Sequence, residues 1–139
     1  MSVIKPAVYR IQNVASKTYL DESRSDKDKV QCWGDRPKQG NQRWVVKKIQ
    51  GQDAYVIHNF EFSRYLHIAE REQGSLLTAT DDKPAHFIFK KEADGISIHL
   101  TNSNLCLDLN NGLKNDGELV HVYYDGSKSW QRWNFVEVA

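Results

Sequence analysis

The sequence lacks any long hydrophobic run. No stretch approaches the ~20 apolar residues of a membrane-spanning helix, and the opening Met1-Ser2-Val3-Ile4-Lys5-Pro6 has no apolar segment of secretory-leader length. Cysteine is scarce: Cys32 and Cys106 lie far apart and in no metal-binding or redox spacing. Without a leader, both are expected to be reduced thiols in a cytoplasmic protein. An excess of one charge is also missing. The 19 Lys and Arg residues are interleaved with 18 Asp and Glu, leaving a net charge of +1. That balance excludes the basic footprint of a nucleic-acid binder and the polybasic cluster of a membrane-surface protein. Catalytic motifs are absent: there is no Gly-x-Ser-x-Gly, no phosphate loop and no paired carboxylates in a defined setting. The histidines, His58, His67, His86, His99 and His121, fall in no His-x-His or His-Glu-x-x-His spacing. No enzyme, metal or cofactor is therefore expected.

What is present is a repeat. Asn41-Gln42-Arg43-Trp44 returns near the end of the chain as Trp130-Gln131-Arg132-Trp133, which suggests one structural unit used more than once. Tyr9-Arg10-Ile11-Gln12-Asn13 alternates as a half-buried strand with Tyr9 and Ile11 inward. Tyr55 to Asn59 and Ile96 to Leu100 restate it. The step Tyr19-Leu20-Asp21 returns as Tyr65-Leu66-His67 and as Cys106-Leu107-Asp108. In Val30-Gln31-Cys32-Trp33, alternation puts Val30 and Cys32 inward and Gln31 and Trp33 outward. Leu76 to Thr80 and Leu119 to Tyr123 correspond. Between these lie polar connections: a charged run from Glu22 to Lys29 that reads as a solvated loop, a loop from Gly34 to Gly40, and a turn-rich loop from Asn110 to Gly117.

Three copies, about 8–51, 54–95 and 96–138, with about four short strands each and no sustained 3.6-residue apolar period, predict one all-β domain over residues 1–139. Pseudo-threefold closure as a β-trefoil is the economical arrangement, since three blades are fewer than the four to eight of a propeller. Trp44, Phe87 and Trp133 share one repeat position and are expected in the barrel core, each stabilising the fold by about 1.5–3 kcal/mol. Gln42 and Gln131 are expected to fix neighbouring backbone groups, with Ala85 replacing them in the second copy. Arg43 and Arg132 are expected at exposed strand positions.

The pattern Tyr-x-Ile-x-Asn, Leu-Asp, an outward aromatic, then Gln-x-Trp resembles the ricin B-type β-trefoil lectin family, over Val8 to Val138. The small size and the opening residues are similar to the cytoplasmic ricin B-like lectins of fungi. The resemblance implies a glycan-binding protein of galactose or N-acetylgalactosamine type. Related fungal trefoils that inhibit cysteine or aspartic proteases through surface loops are the alternative. The loops Glu22 to Lys29, Gly34 to Gly40 and Asn110 to Gly117 are the candidates for that role. An actin-bundling or growth-factor type of trefoil fits less well, for want of a basic patch.

On the family's positions, the first copy offers Asp21 to bind hydroxyls, Trp33 to stack on the sugar ring, and Asn41 as a second hydroxyl-binding amide. Each also has a structural reading: a turn cap, a ring half-buried under a loop, and a turn former. The second copy departs, with His67 for the aspartate, Thr80 for the aromatic, and Pro84-Ala85 near the amide position. The third keeps Asp108, with Tyr123 or Tyr124 as the ring, and has Trp130 where the amide would be. Shallow sugar sites bind weakly, so function is expected from multivalency, through two sites per chain or a homodimer.

Overall fold

The computed structural model describes residues 3–138. The first copy contributes strands β1 (Ala7–Asn13), β2 (Tyr19–Glu22), β3 (Val30–Trp33) and β4 (Trp44–Lys48). The second contributes β5 (Tyr55–Asn59), β6 (Tyr65–Ile68), β7 (Leu77–Thr80) and β8 (Phe87–Glu92). The third contributes β9 (Gly95–Leu100), β10 (Leu105–Leu109), β11 (Glu118–Tyr124) and β12 (Trp133–Glu137). Among the described residues the only helical segments are single 3₁₀ turns, Gly40–Gln42, Asn110–Gly112 and Ser129–Gln131.

The antiparallel pairings close a ring: β1 with β4, β4 with β5, β5 with β8, β8 with β9, β9 with β12, and β12 back to β1. This barrel is capped at one end by the hairpins β2–β3, β6–β7 and β10–β11. Around the cap axis the hairpins touch through equivalent pairs: Leu119 with Gln31, Lys29 with Thr78, and Leu76 with His121. The architecture is a β-trefoil, as the repeat predicts.

The core is layered in threes. Ile11, Ile57 and Ile98 are fully buried, as are Leu20, Leu66 and Leu107, and the rings of Trp44, Phe87 and Trp133. The Trp44 indole N–H donates to the Leu20 carbonyl at 2.9 Å, and that of Trp133 to Leu107 at 3.2 Å. Phe87 has no such donor, and the Leu66 carbonyl accepts the Ala85 backbone N–H at 2.9 Å instead. The buried carbonyl is satisfied in every copy by a different route.

The turn after the first strand is built alike in the first two copies, the Lys17 and Ser63 N–H groups donating to the Asn13 and Asn59 carbonyls. Asn13 and Asn59 accept turn N–H groups on their side-chain oxygens. Their amide groups reach across copies, Asn13 to the Trp130 carbonyl and Asn59 to the Asn41 carbonyl, both at 3.0 Å. Each asparagine thus pins the 3₁₀ turn of the preceding copy. The equivalent residue of the third copy is Leu100, which pairs with Phe87 as Asn59 pairs with Trp44, so the second copy receives no such pin.

Two expectations are corrected. Arg132 is not exposed. It is buried, its guanidinium lying 3.1 Å from Asp125 and 3.5 Å from Asp94, while Arg43 is half-buried and donates to the Pro37 carbonyl. Glu22 does not belong to a solvated loop. It ends β2, is fully buried, makes no side-chain hydrogen bond, and faces the Arg64 guanidinium at 3.8 Å. Registers place Ile68 and Leu109 at the same position in the other copies, so a carboxyl stands where the fold otherwise puts an aliphatic side chain.

Burial pushes the Glu22 carboxyl up to about 8, against the opposing charges of Arg64 and Lys27. The folded chain therefore holds a proton that the unfolded chain releases, and stability falls as pH rises from the ordinary carboxylate range to about 8. Glu22→Leu is expected to remove that slope and to stabilise the protein by about 1–3 kcal/mol at pH 8. Denaturant unfolding at pH 5 and pH 8 checks it: equal pH dependence in both proteins would contradict the assignment. Arg64 keeps Asp28 and Asp81 as partners in the variant.

Candidate functional site

Two surface grooves lie at threefold-related positions, one in the first copy and one in the third. Each is built on the outer face of a cap hairpin. In the first, β2 and β3 pair Asp21 with Gln31, and the two side chains meet on the same face. Gln31 Nε2 donates to Asp21 Oδ1 and Gln42 Nε2 to Asp21 Oδ2, both at 3.0 Å. Gln42 also donates to the Gly34 carbonyl at 2.9 Å and accepts the Arg36 backbone N–H at 3.0 Å on its oxygen. The carboxylate is thus held on both oxygens, only 3% exposed, at the floor of a groove of about 290 Å³. Burial raises its pKa, opposed by the hydrogen bonds from Gln31 and Gln42 and by the charges of Arg36 and Arg24.

The third copy builds the same clamp. Asp108 pairs with His121 across β10 and β11. His121 Nε2 lies 2.8 Å from Asp108 Oδ1, and Gln131 Nε2 donates to Asp108 Oδ2 at 2.9 Å. Gln131 donates again to the Tyr124 carbonyl and accepts the Gly126 N–H, both at 2.9 Å. Its groove is about 320 Å³.

A carboxylate held this way keeps a second lone pair on each oxygen for further donors. Aromatic rings stand beside both carboxylates. Trp33, half-buried, lines the first groove, and its threefold mate Tyr123 lines the third together with Tyr124 and Trp130. Tyr123 and Tyr124 are exposed, and the Tyr123 ring stacks on His121 with centroids 5.6 Å apart. Such a site can accept hydroxyl hydrogen bonds at the carboxylate, charge-assisted and therefore strong, while a ring covers an apolar face.

The predicted residues are thus brought together in two sets: Asp21, Trp33 and Asn41 in one groove, Asp108, Tyr123, Tyr124 and Trp130 in the other. Asn41 is more committed than its sequence position suggests. It is 4% exposed, donates to the Glu22 carbonyl at 3.2 Å and accepts from Arg24 at 3.2 Å. In the second copy the clamp positions hold His67, Thr78 and Ala85, and His67 Nδ1 lies 2.7 Å from the Lys83 carbonyl.

Sequence reading missed Gln31 and His121, the cross-strand halves of the clamp. Alternation did place Gln31 on the outward face, but facing Asp21 depends on hairpin register. It also gave Gln42 and Gln131 only a backbone role, whereas each binds a carboxylate as well. The fold further gathers His99, Cys106 and Asp125, whose ligating atoms lie within 4.8 Å of one another. Asp125 is already paired with Arg132 at 3.1 Å and lies 3.2 Å from His99 Nε2, whose pKa burial lowers. Both cysteines are free and buried, and burial pushes each thiol up to about 12.

Residues 2–80 match the model of the ricin-type β-trefoil lectin domain-like family. The chain belongs to this family. Solved structures agree with the assignment at the level of fold. The Rhizoctonia solani agglutinin superimposes with a TM-score of 0.90 at 18% identity, over 99% of this chain and 99% of its own. The Macrolepiota procera ricin B-like lectin, solved in complex with lactose, gives 0.89 at 22% identity, over 99% and 100%. The C-terminal half of the earthworm R-type lectin, in complex with GalNAc, gives 0.72 at 15% identity, over 96% and 100%. No curated protein sequence gives a significant match. Among the described residues of this lectin-type domain, no helix is long and apolar enough to cross a membrane.

Proposed function

We propose that the protein is a non-enzymatic lectin that binds glycans of galactose or N-acetylgalactosamine type through the grooves at Asp21 and Asp108. The observation that carries this reading is the duplicated clamp. Two copies hold a nearly buried carboxylate on both oxygens with a glutamine from the Gln-x-Trp motif and a cross-strand partner, and both place an aromatic ring beside it. In the second copy His67 stands in place of the carboxylate, and the ring and the clamp glutamine are missing with it, Thr80 and Ala85 holding those positions. The lactose and GalNAc complexes of the two lectins above support the sugar class.

Two grooves in one chain supply bivalency without a homodimer, and on a clustered glycan surface avidity can exceed single-site affinity by about 10²–10⁴. The loops that would serve a protease inhibitor instead furnish groove walls here: Arg24 and Arg36 come from the first two, Asn110 and Asn111 from the third. A glycan array with the intact protein is expected to show binding to terminal galactose or N-acetylgalactosamine. Silence on the array, together with inhibition of papain-like or pepsin-like proteases, would replace this reading with the inhibitor.

A further inference from the structure

The two grooves share a clamp but differ in charge. Three cationic side chains, Arg24, Lys29 and Arg36, line the first groove against the single carboxylate of Asp21. The third groove has Lys128 against Asp108. Pseudo-symmetry identifies what each extra cation replaces. Lys29 occupies the cap position held by Leu76 and Leu119 in the other copies, as the equivalent cross-hairpin pairs show. Arg36 gives its backbone N–H to Gln42 as Gly126 does to Gln131. Arg24 lies three residues after Asp21, where Asn111 follows Asp108.

The fold therefore has no need of these charges: related positions are filled by leucine, glycine and asparagine. Arg24 is neutralised by Glu61 and anchored on Asn41 at 3.2 Å. Lys29 and Arg36 have no carboxylate within ion-pair distance among the described residues, and the Arg36 guanidinium lies 5.4 Å from the centre of the Trp33 ring. Nearby Asp35 is taken by Arg10, and Asp116 accepts the Gly34 N–H at 2.8 Å. A cation beside the Trp33 ring and a second one lining the same groove, neither in an ion pair among the described residues and with Asp21 the one carboxylate between them, leave a positive excess that attracts an anion.

We propose that the first-copy groove selects an acidic glycan, one carrying a carboxylate or sulfate ester beside the ring held at Asp21, whereas the third-copy groove takes a neutral one. This rests on the reading of both grooves as glycan sites. The hydroxyls of the sugar meet Asp21, and its anionic substituent lies between Arg36 and Lys29. In the third groove Lys128, 5.9 Å from the centre of the Trp130 ring, is the one Lys or Arg side chain, balanced by the one carboxylate of Asp108, and the positions equivalent to Arg36 and Lys29 are Gly126 and Leu119.

The test uses lactose, 3′-sialyllactose and 3′-sulfolactose as probes, titrated calorimetrically into the full chain carrying Asp108→Asn, so that the first groove alone reports. An acidic probe is expected to bind about tenfold more tightly than lactose at low salt, and the preference is expected to shrink severalfold by 0.5 M NaCl as the charges are screened. Which acidic probe prevails tells carboxylate from sulfate. Adding Lys29→Leu and Arg36→Gln is expected to bring the ratio to about one, while Lys48→Gln, which removes a charge outside the groove, leaves it intact. Arg36→Gln alone carries the test if the double substitution fails to fold. In the converse Asp21→Asn protein, lactose is expected to bind at least as well as either acidic probe. Equal binding of lactose and both acidic probes by the first groove, or a preference that survives loss of Lys29 and Arg36, overturns the inference and leaves the lectin reading standing. No probe bound by either groove overturns both.

Discussion

Alanine at both Asp21 and Asp108 is expected to abolish glycan binding, lowering it by at least about 100-fold. The reason lies in the clamp. Each carboxylate is the one charged acceptor at its groove floor, and hydrogen bonds to a charged acceptor are about twice as strong as neutral ones. No second carboxylate lines either groove, and Gln31, Gln42 and Gln131 direct their amide N–H groups at the carboxylate itself. The single variants are expected to behave differently. Each keeps one groove, so a soluble sugar is still bound, while avidity for a clustered surface is lost by about 10²–10⁴.

Folding must be followed alongside binding. Alanine at position 21 leaves the amide groups of Gln31 and Gln42 without that acceptor, at a cost of about 1–3 kcal/mol for each that stays buried and unpaired. Asparagine retains one acceptor oxygen and the same shape, so the Asp21→Asn/Asp108→Asn protein separates lost charge from lost structure. Thermal melting and calorimetric titration of both double variants are the measurements. Undiminished binding by a folded double variant would sink the lectin reading.

The largest expected effect on stability is that of Trp44→Ala, a loss of about 3–5 kcal/mol. In a domain of this size that corresponds to a melting temperature lowered by roughly 10–20 °C. Trp44 is fully buried in the same core cluster as Phe87 and Trp133, and its removal opens a cavity there. It also strips the Leu20 carbonyl of its donor. Trp44→Phe tests these contributions apart. The second copy tolerates phenylalanine because the Ala85 backbone N–H supplies the hydrogen bond, whereas the first copy has Gln42 there with its own commitments. Trp44→Phe is therefore expected to cost about 1–2 kcal/mol, mainly for the unpaired carbonyl. Because Gln42 lies two residues from Trp44, the alanine variant is also expected to loosen the Asp21 clamp. Denaturant unfolding measures the first effect. A loss below about 1 kcal/mol for Trp44→Ala would show that the layer repacks.

Much of this molecule is written in local pattern. Strict alternation in Tyr9 to Asn13, Val30 to Trp33 and Tyr55 to Asn59 locates strands, because side chains of a strand alternate between faces. Recurrence of Gln-x-Trp and of the Leu-Asp step locates the copies. Trp44 and Trp133 are legible as core and Asp21 and Asp108 as site candidates, since each recurs in order with its neighbours.

What the pattern leaves open is every relation that crosses from one strand or copy to another. Gln31 and His121 are unlike in sequence, yet both face the clamp carboxylate, because hairpin register alone decides who stands opposite Asp21 and Asp108. Glu22 looks like the start of a charged loop and is buried, because β2 runs one residue further than its charges suggest. Arg132 looks exposed and is buried, because Asp125 and Asp94 arrive from other segments to neutralise it. The lone cations of the first groove and the missing asparagine pin of the second copy become visible only when threefold mates are superposed. Sequence by itself determined the strands, the threefold repeat and the carboxylates at which a sugar is proposed to bind. Tertiary structure decided which side chains hold those carboxylates and which charges are left unpaired around them, because burial and pairing depend on neighbours that the chain supplies from distant positions.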